Sequence, residues 1–320
     1  MAAYRIVSFD GGGIRGAFTT QVLLRLTKPP YNIDLSKIDL FAGTSTGSVI
    51  ATGLAMGLPI ETVAEFYEES NCKFIFSKKR FFGLNVFGPK YSREPLKEYM
   101  TKQYKGNPML KDLPYGLSLS SFQLQSPYTR NWLSVFFNNR QDFVAHERLP
   151  IFNYSELRVL DAVLASSAAP TYFPAYKIAD RGSYIDGGVI ANNPGIAGLS
   201  VAINPINTVK AKLEDVRLLS IGNGIVPTEI KGAPKWGIAG WMGPSLPLLN
   251  ILSDGSSDVD NYYCMSMLGE KGYRRLQVEL KKAVVLDDYK AVPEMVKLAN
   301  CKSKKFTDEL ASIAEWFNAD

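Results

Sequence analysis

Histidine is almost absent from this chain: there is one, His146, in 320 residues. A triad that runs its proton through histidine, or a histidine-rich metal site, has a single residue to draw on. Cysteine is scarce as well. Cys72, Cys264 and Cys301 are odd in number and far apart, with no Cys-x-x-Cys pair. That spacing argues against a disulfide framework or a zinc site and for a reducing compartment. The apolar runs, such as 49–56, fall well short of the roughly 20 residues that span a bilayer. Met1-Ala2-Ala3-Tyr4-Arg5 leads into a strand-like run and does not read as a secretory leader. The expected location is therefore cytoplasmic or peripheral to a membrane. Positive charge is in slight excess, +5, too thin over this length to argue for nucleic-acid binding. Fixed-period repeats and low-complexity tracts are missing too.

What is present is enough for a large core. Hydrophobic residues make up 46% of the chain, and charged residues, at 21%, are dispersed; both figures exclude global disorder. The opening reads as strand 6–10, a glycine turn, helix 17–26, a loop with Pro29-Pro30, strand 38–42, a serine turn and helix 46–56. Strand and helix alternating in this way predict a parallel sheet with helices on both faces. A further helix follows Pro59. Residues 72–114 mix aromatics, lysines, glycines and prolines without a clean period and read as an excursion from the sheet. Strands are expected at 116–124, 132–137, 184–185, 216–221 and 275–280, and helices at 157–166, 194–203, in part of 246–268, and at 292–317 in two pieces. The Gly- and Pro-rich stretch 225–245 reads as a long loop.

Two turns carry the chemistry. Gly43-Thr44-Ser45-Thr46-Gly47 places a serine third in a Gly-x-Ser-x-Gly pattern, between a strand and a helix. A nucleophile on such a bend needs small neighbours, and the helix N-terminus behind it favours developing negative charge. Its proton needs an acceptor. His146 lies in the polar segment 141–148 and reads as a surface residue; a Ser45, Asp112, His146 set has the chain order of a triad, but Asp112 lies in an irregular stretch. Asp186 is the stronger candidate. It follows a short strand and precedes Gly187-Gly188 and Asn192-Asn193-Pro194, which sets a carboxylate at a strand end facing the same sheet edge as Ser45.

The other turn, Gly11-Gly12-Gly13-Ile14-Arg15-Gly16, has two readings. It matches the dinucleotide fingerprint, which needs an acid about twenty residues on; Asp34 is near that distance but sits in a loop. It also suits an oxyanion site, with the N–H groups of Gly12 and Gly13 and the charge of Arg15 facing a tetrahedral oxygen. The second reading is favoured because Ser45 follows.

These motifs, together with 165–174 (Ala-Ser-Ser-Ala-Ala-Pro-Thr-Tyr-Phe-Pro) and Leu219-Ser220-Ile221-Gly222-Asn223-Gly224, resemble those of the patatin-like phospholipases over residues 4–224. The resemblance implies a three-layer α/β/α fold with a mainly parallel central sheet and a Ser-Asp dyad without histidine. It implies Ser45 as nucleophile, Asp186 as base, and Gly11, Gly12, Gly13 and Arg15 as the oxyanion region. The activity implied is cleavage of fatty-acyl esters of a phospholipid or lysophospholipid at a membrane surface, through an acyl-serine and with neither cofactor nor metal. An acyltransferase, or a storage protein of the same fold, is the alternative. The stretches 72–114 and after 225 match no pattern of the family; the expected organisation is one patatin-like catalytic domain over 1–320, with 72–114 as a cap or insertion and 225–320 as a C-terminal extension packed on the same domain. Some bacterial members are switched on by small nucleotides or host proteins; no motif here identifies an activator. The run 74–82, Phe-Ile-Phe-Ser-Lys-Lys-Arg-Phe-Phe, reads as an interfacial anchor or as a loop with buried aromatics.

Overall fold

The computed structural model describes residues 3–79, 88–126, 131–140, 154–205, 209–226, 235–237, 241, 243 and 247–319. Eight strands form one sheet: β1 (Tyr4–Phe9), β2 (Leu40–Thr44), β3 (Gly116–Gln125), β4 (Leu133–Asn138), β5 (Tyr176–Ile178), β6 (Gly182–Asp186), β7 (Val216–Ile221) and β8 (Tyr273–Leu276). Their order is β5-β6-β3-β2-β1-β7-β8, with β4 also on β3. The stretch β3-β2-β1-β7-β8 is parallel. The pairs β3–β4, β3–β6 and β5–β6 are antiparallel. The sheet is thus mixed: its parallel half matches the strand-helix alternation of the sequence, while in its antiparallel half β5 turns directly into β6, and β6 lies on β3 after an intervening helix (Val159–Ser166).

Alternation along each strand sends side chains to two faces. Val7, Phe9, Phe41, Leu119 and Ile221 join the larger core. That core is shared with α1 (Gly16–Leu26), α2 (Thr46–Ala55), α3 (Ile60–Glu65), α4 (Glu69–Ile75), α5 (Glu94–Gln103) and α6 (Val159–Ser166). Ile6, Leu40, Ala42 and Leu218 face the other way, against α7 (Gly195–Ile203) and α8 (Pro247–Gly272, with a break at Gly269). Burying Phe18, Val22, Leu23 and Leu26 of α1 is worth about 1.5–3 kcal/mol each. The two C-terminal helices, α9 (Val292–Ala299) and α10 (Lys304–Asn318), cover the larger core; in α10 Phe306, Leu310, Ile313 and Phe317 make the inward stripe. Ser303 caps α10 by accepting the Phe306 N–H at 3.4 Å.

The stretch 72–114 contributes α5 and most of α4, whose Cys72, Leu96, Tyr99 and Met100 are buried in the larger core. The last strand is displaced from the expected 275–280 to Tyr273–Leu276. Its anchors are Tyr273 and Leu276, both fully buried, with two arginines between them. That arrangement hides the strand from a search for alternating apolar residues.

Candidate active site

Ser45 stands between β2 and α2 with φ 54° and ψ −119°, a conformation that side-chain-bearing residues rarely adopt. Such strain costs about 1–3 kcal/mol and persists only where the surroundings enforce it. They do so here through close backbone contact. A Cβ on Gly47 would lie 2.0 Å from the Phe9 carbonyl oxygen, so only glycine lets the start of α2 pass under β1. Ser166, the last residue of α6, accepts the Ser45 N–H at 3.2 Å and donates to the Ser120 carbonyl at 2.7 Å. Ser48 donates to the Ser45 carbonyl at 2.6 Å. Tyr67 bonds Thr46 through both its hydroxyl and its carbonyl, at 2.6 and 2.9 Å.

The carboxylate arrives from the opposite direction. One edge of β3 is shared. Residues 116–120 pair with β2 in parallel, ending at Thr44 opposite Ser120. Residues 121–125 pair with β6 in antiparallel fashion, ending at Asp186 opposite Ser121. The two strands therefore run toward each other and stop nose to nose, which brings Ser45 and Asp186 together. Asp186 is 4% exposed. Its Oδ1 accepts the Gly188 N–H at 2.7 Å, while Oδ2 has no fully formed hydrogen bond. Burial pushes the Asp186 carboxyl up to about 6, against the opposing pull of the nearby Ser45 hydroxyl and the Gly188 N–H. The serine hydroxyl is thus near enough to act on the carboxylate without being seated on the bare oxygen.

The glycine turn follows β1 and lies against the serine: a Cβ on Gly11 would be 3.3 Å from Ser45 Cβ. Within the turn the donors are not equivalent. The Gly11 N–H is taken by the Asn192 carbonyl at 3.0 Å and the Ile14 N–H by the Leu286 carbonyl at 2.9 Å. Among the described residues, the N–H groups of Gly12 and Gly13 donate to no protein acceptor. Arg15 braces the turn, donating from Nε to the Gly12 carbonyl at 3.2 Å and from Nη1 to the Gly224 carbonyl at 2.7 Å. Asp34, the acid a dinucleotide reading requires, caps a short turn ahead of β2 by accepting from Ser36. Asp112 likewise caps its own turn, accepting the Met109 N–H. His146 lies outside the described residues.

Several further residues hold the site. Arg275 of β8 makes a two-pronged ion pair with Asp10, at 3.1 and 2.6 Å, and donates to Ser220 at 2.7 Å. Asn223 donates to the Asp10 and Gly11 carbonyls at 3.2 and 2.8 Å. Asn192 donates from Nδ2 to Ser257 of α8. Asp287 accepts from Tyr91 at 2.5 Å and pairs with Lys90, tying down the segment whose Leu286 touches the glycine turn. Of these, Asn192 and Asn223 lay inside motifs already noticed; Arg275 and Asp287 had only charge to mark them. Among the described residues, no cluster of three or more histidine, cysteine or acidic side chains suits a metal ion.

Beside Ser45 opens an apolar pocket with about 650 Å³ of empty space, its mouth included. Thr46 and Val49 of α2, Cys72 of α4, Leu96 and Met100 of α5, and Phe173 form much of its wall, and the half-buried Ile75, Tyr172 and Leu286 lie at the rim.

A family model described as Patatin-like phospholipase matches residues 7–196. The chain is 29% identical over 324 residues to Protein teg of Priestia megaterium, covering 94% of this chain and 95% of that protein. It is 29% identical to a cGAMP-activated phospholipase of Pseudomonas aeruginosa, over 81% of this chain and 74% of the relative. It is 27% identical to Patatin-like protein 1 of Arabidopsis thaliana, over 88% of this chain and 74% of the relative.

Proposed function

Since the chain belongs to the patatin-like phospholipase family, a family of lipid hydrolases, we propose that it cleaves fatty-acyl esters of a phospholipid or lysophospholipid through Ser45 and Asp186. The Ser45 hydroxyl attacks the ester carbonyl and Asp186 accepts its proton. The N–H groups of Gly12 and Gly13 hold the tetrahedral oxyanion. Collapse expels the alcohol, which takes the proton from Asp186, and leaves an acyl-serine. Water then attacks the acyl carbonyl while Asp186 again takes a proton; collapse breaks the acyl–Oγ bond, Asp186 returns the proton to the Ser45 oxygen, and the fatty acid leaves. Asp186 suits this role because its raised pKa brings it closer to the proton affinity a general base needs near neutrality. Arg15 acts by holding the turn, since it donates to the Gly12 and Gly224 carbonyls.

The observation that carries the reading is the meeting of β2 and β6 over Ser120 and Ser121, which leaves a buried carboxylate with one bare oxygen beside the serine. The test is labelling with a fluorophosphonate, followed by incubation with mixed phospholipids and mass spectrometry of the products. The adduct is expected on Ser45, and free fatty acid and lysolipid are expected to accumulate. Ser45→Ala and Asp186→Asn should each lower turnover by about 10³-fold or more. His146→Ala should be nearly silent; a comparable loss there would overturn the dyad.

A further inference from the structure

We infer that the apolar pocket beside Ser45 takes one unbranched acyl chain, and that Met100 and Cys72 close its inner end and so set the longest chain that fits; this rests on the acyl-hydrolase reading above. The pocket grades from open to closed. Ser45, Ile75, Tyr172 and Leu286 are half-buried and make the mouth. Met100 is 1% exposed and Cys72 2%, so neither stands at the opening; both come from the helices α4 and α5 rather than from the turns that carry Ser45 and Gly13. An ester carbonyl at Ser45 would direct its alkyl tail inward past Val49.

The lining suits an alkyl chain and little else. The polar side chains in the wall are already engaged: Thr46 with Tyr67 at 2.6 Å, and Ser167 with the Val163 carbonyl at 2.7 Å. A headgroup or a peptide would lose its water and gain no partner there. The end wall is also fixed. Tyr104, just past α5, donates to the Val49 carbonyl at 2.9 Å and ties α5 to α2. Phe66, itself in the pocket wall, packs edge-on against Tyr99 and Tyr104, with ring centres 5.9 and 6.3 Å apart. A chain that reaches Met100 therefore meets a packed layer. Cys72 acts there as a small apolar surface; burial pushes its thiol up to about 12, so it offers no competing thiolate.

Each methylene buried in such a pocket is worth about fourfold in kcat/KM until the chain meets the stop. The experiment is a series of p-nitrophenyl esters from butanoate to hexadecanoate, read as kcat/KM against chain length. The unmodified enzyme should climb to an optimum and then fall. Met100→Ala and Cys72→Ala should move the optimum to longer chains. Cys72→Leu should move it to shorter ones and lower the ratio of long-chain to short-chain kcat/KM by about tenfold or more. Alkyl phosphonates of increasing length give the same reading on the unmodified enzyme, as a rate of Ser45 modification that rises and then drops. Active variants that share one optimum, or a phosphonate rate that never drops, would overturn the inference and leave the hydrolase reading intact. If no ester turns over and no phosphonate attaches to Ser45, the hydrolase reading itself fails.

Discussion

Burial of Asp186 has two consequences of opposite sign. As a base it must be ionised, and its carboxyl is pushed up to about 6. The acid limb of kcat/KM should therefore fall as pH drops through about 6, a profile measurable with a soluble short-chain ester. Ionisation of the same group works against folding. A folded-state pKa raised from 3.8 to about 6 means that the folded protein prefers the neutral acid. The penalty is absent below about pH 4, grows through pH 6 and amounts to about 3 kcal/mol above it. Asp186→Asn keeps an oxygen for the Gly188 N–H and removes the charge. This variant should be inactive yet more stable at pH 8, with the gain fading toward pH 4 in chemical denaturation. Arg275 behaves in the reverse way: Arg275→Met leaves Asp10 buried without its partner and should cost about 3–5 kcal/mol. Ser45 and Asp186 were readable because glycines mark the backbone around them. Arg275 was not, because its partner Asp10 lies at the other end of the chain and neither residue is unusual where it stands.

At the level of elements, the elbow between β2 and α2 depends on a backbone-to-backbone approach that admits no methyl group. Gly47→Ala should destabilise the protein by about 3 kcal/mol or more, seen as a lower thermal midpoint or loss of soluble protein. The segment between β8 and α9 is held differently, by Asp287 to Lys90 and Tyr91 and by the Leu286 carbonyl to Ile14. Asp287→Ala should raise amide exchange around residues 284–288 while β7 stays protected. Helices and parallel strands were legible from periodicity and turn residues: β7 is found at the expected Val216–Ile221 and α2 within one residue of its expected end. The sharing of one β3 edge by β2 and β6 was not. It depends on register between strands far apart in sequence, and no local pattern encodes that.

For the whole molecule, the pocket and the surface around it decide how lipid is met. No helix among the described residues is long and apolar enough to cross a membrane. Of the aromatic and basic run at 74–82, Phe74 is exposed, Ile75 and Phe76 line the pocket, and Lys78 and Lys79 face solvent; Arg80, Phe81 and Phe82 lie outside the described residues. Ile75 and Phe76 of the expected anchor thus serve the pocket instead. Reversing Lys78 and Lys79 to glutamate should weaken co-sedimentation with anionic vesicles by about fivefold per charge. The shared edge of β3 has a last implication. Nucleophile and base are spaced by the rungs of the central sheet, so separating them means parting β2 or β6 from β3. Heat or denaturant should silence the enzyme only when the fold itself gives way, and a curve of residual activity should lie on top of the unfolding curve.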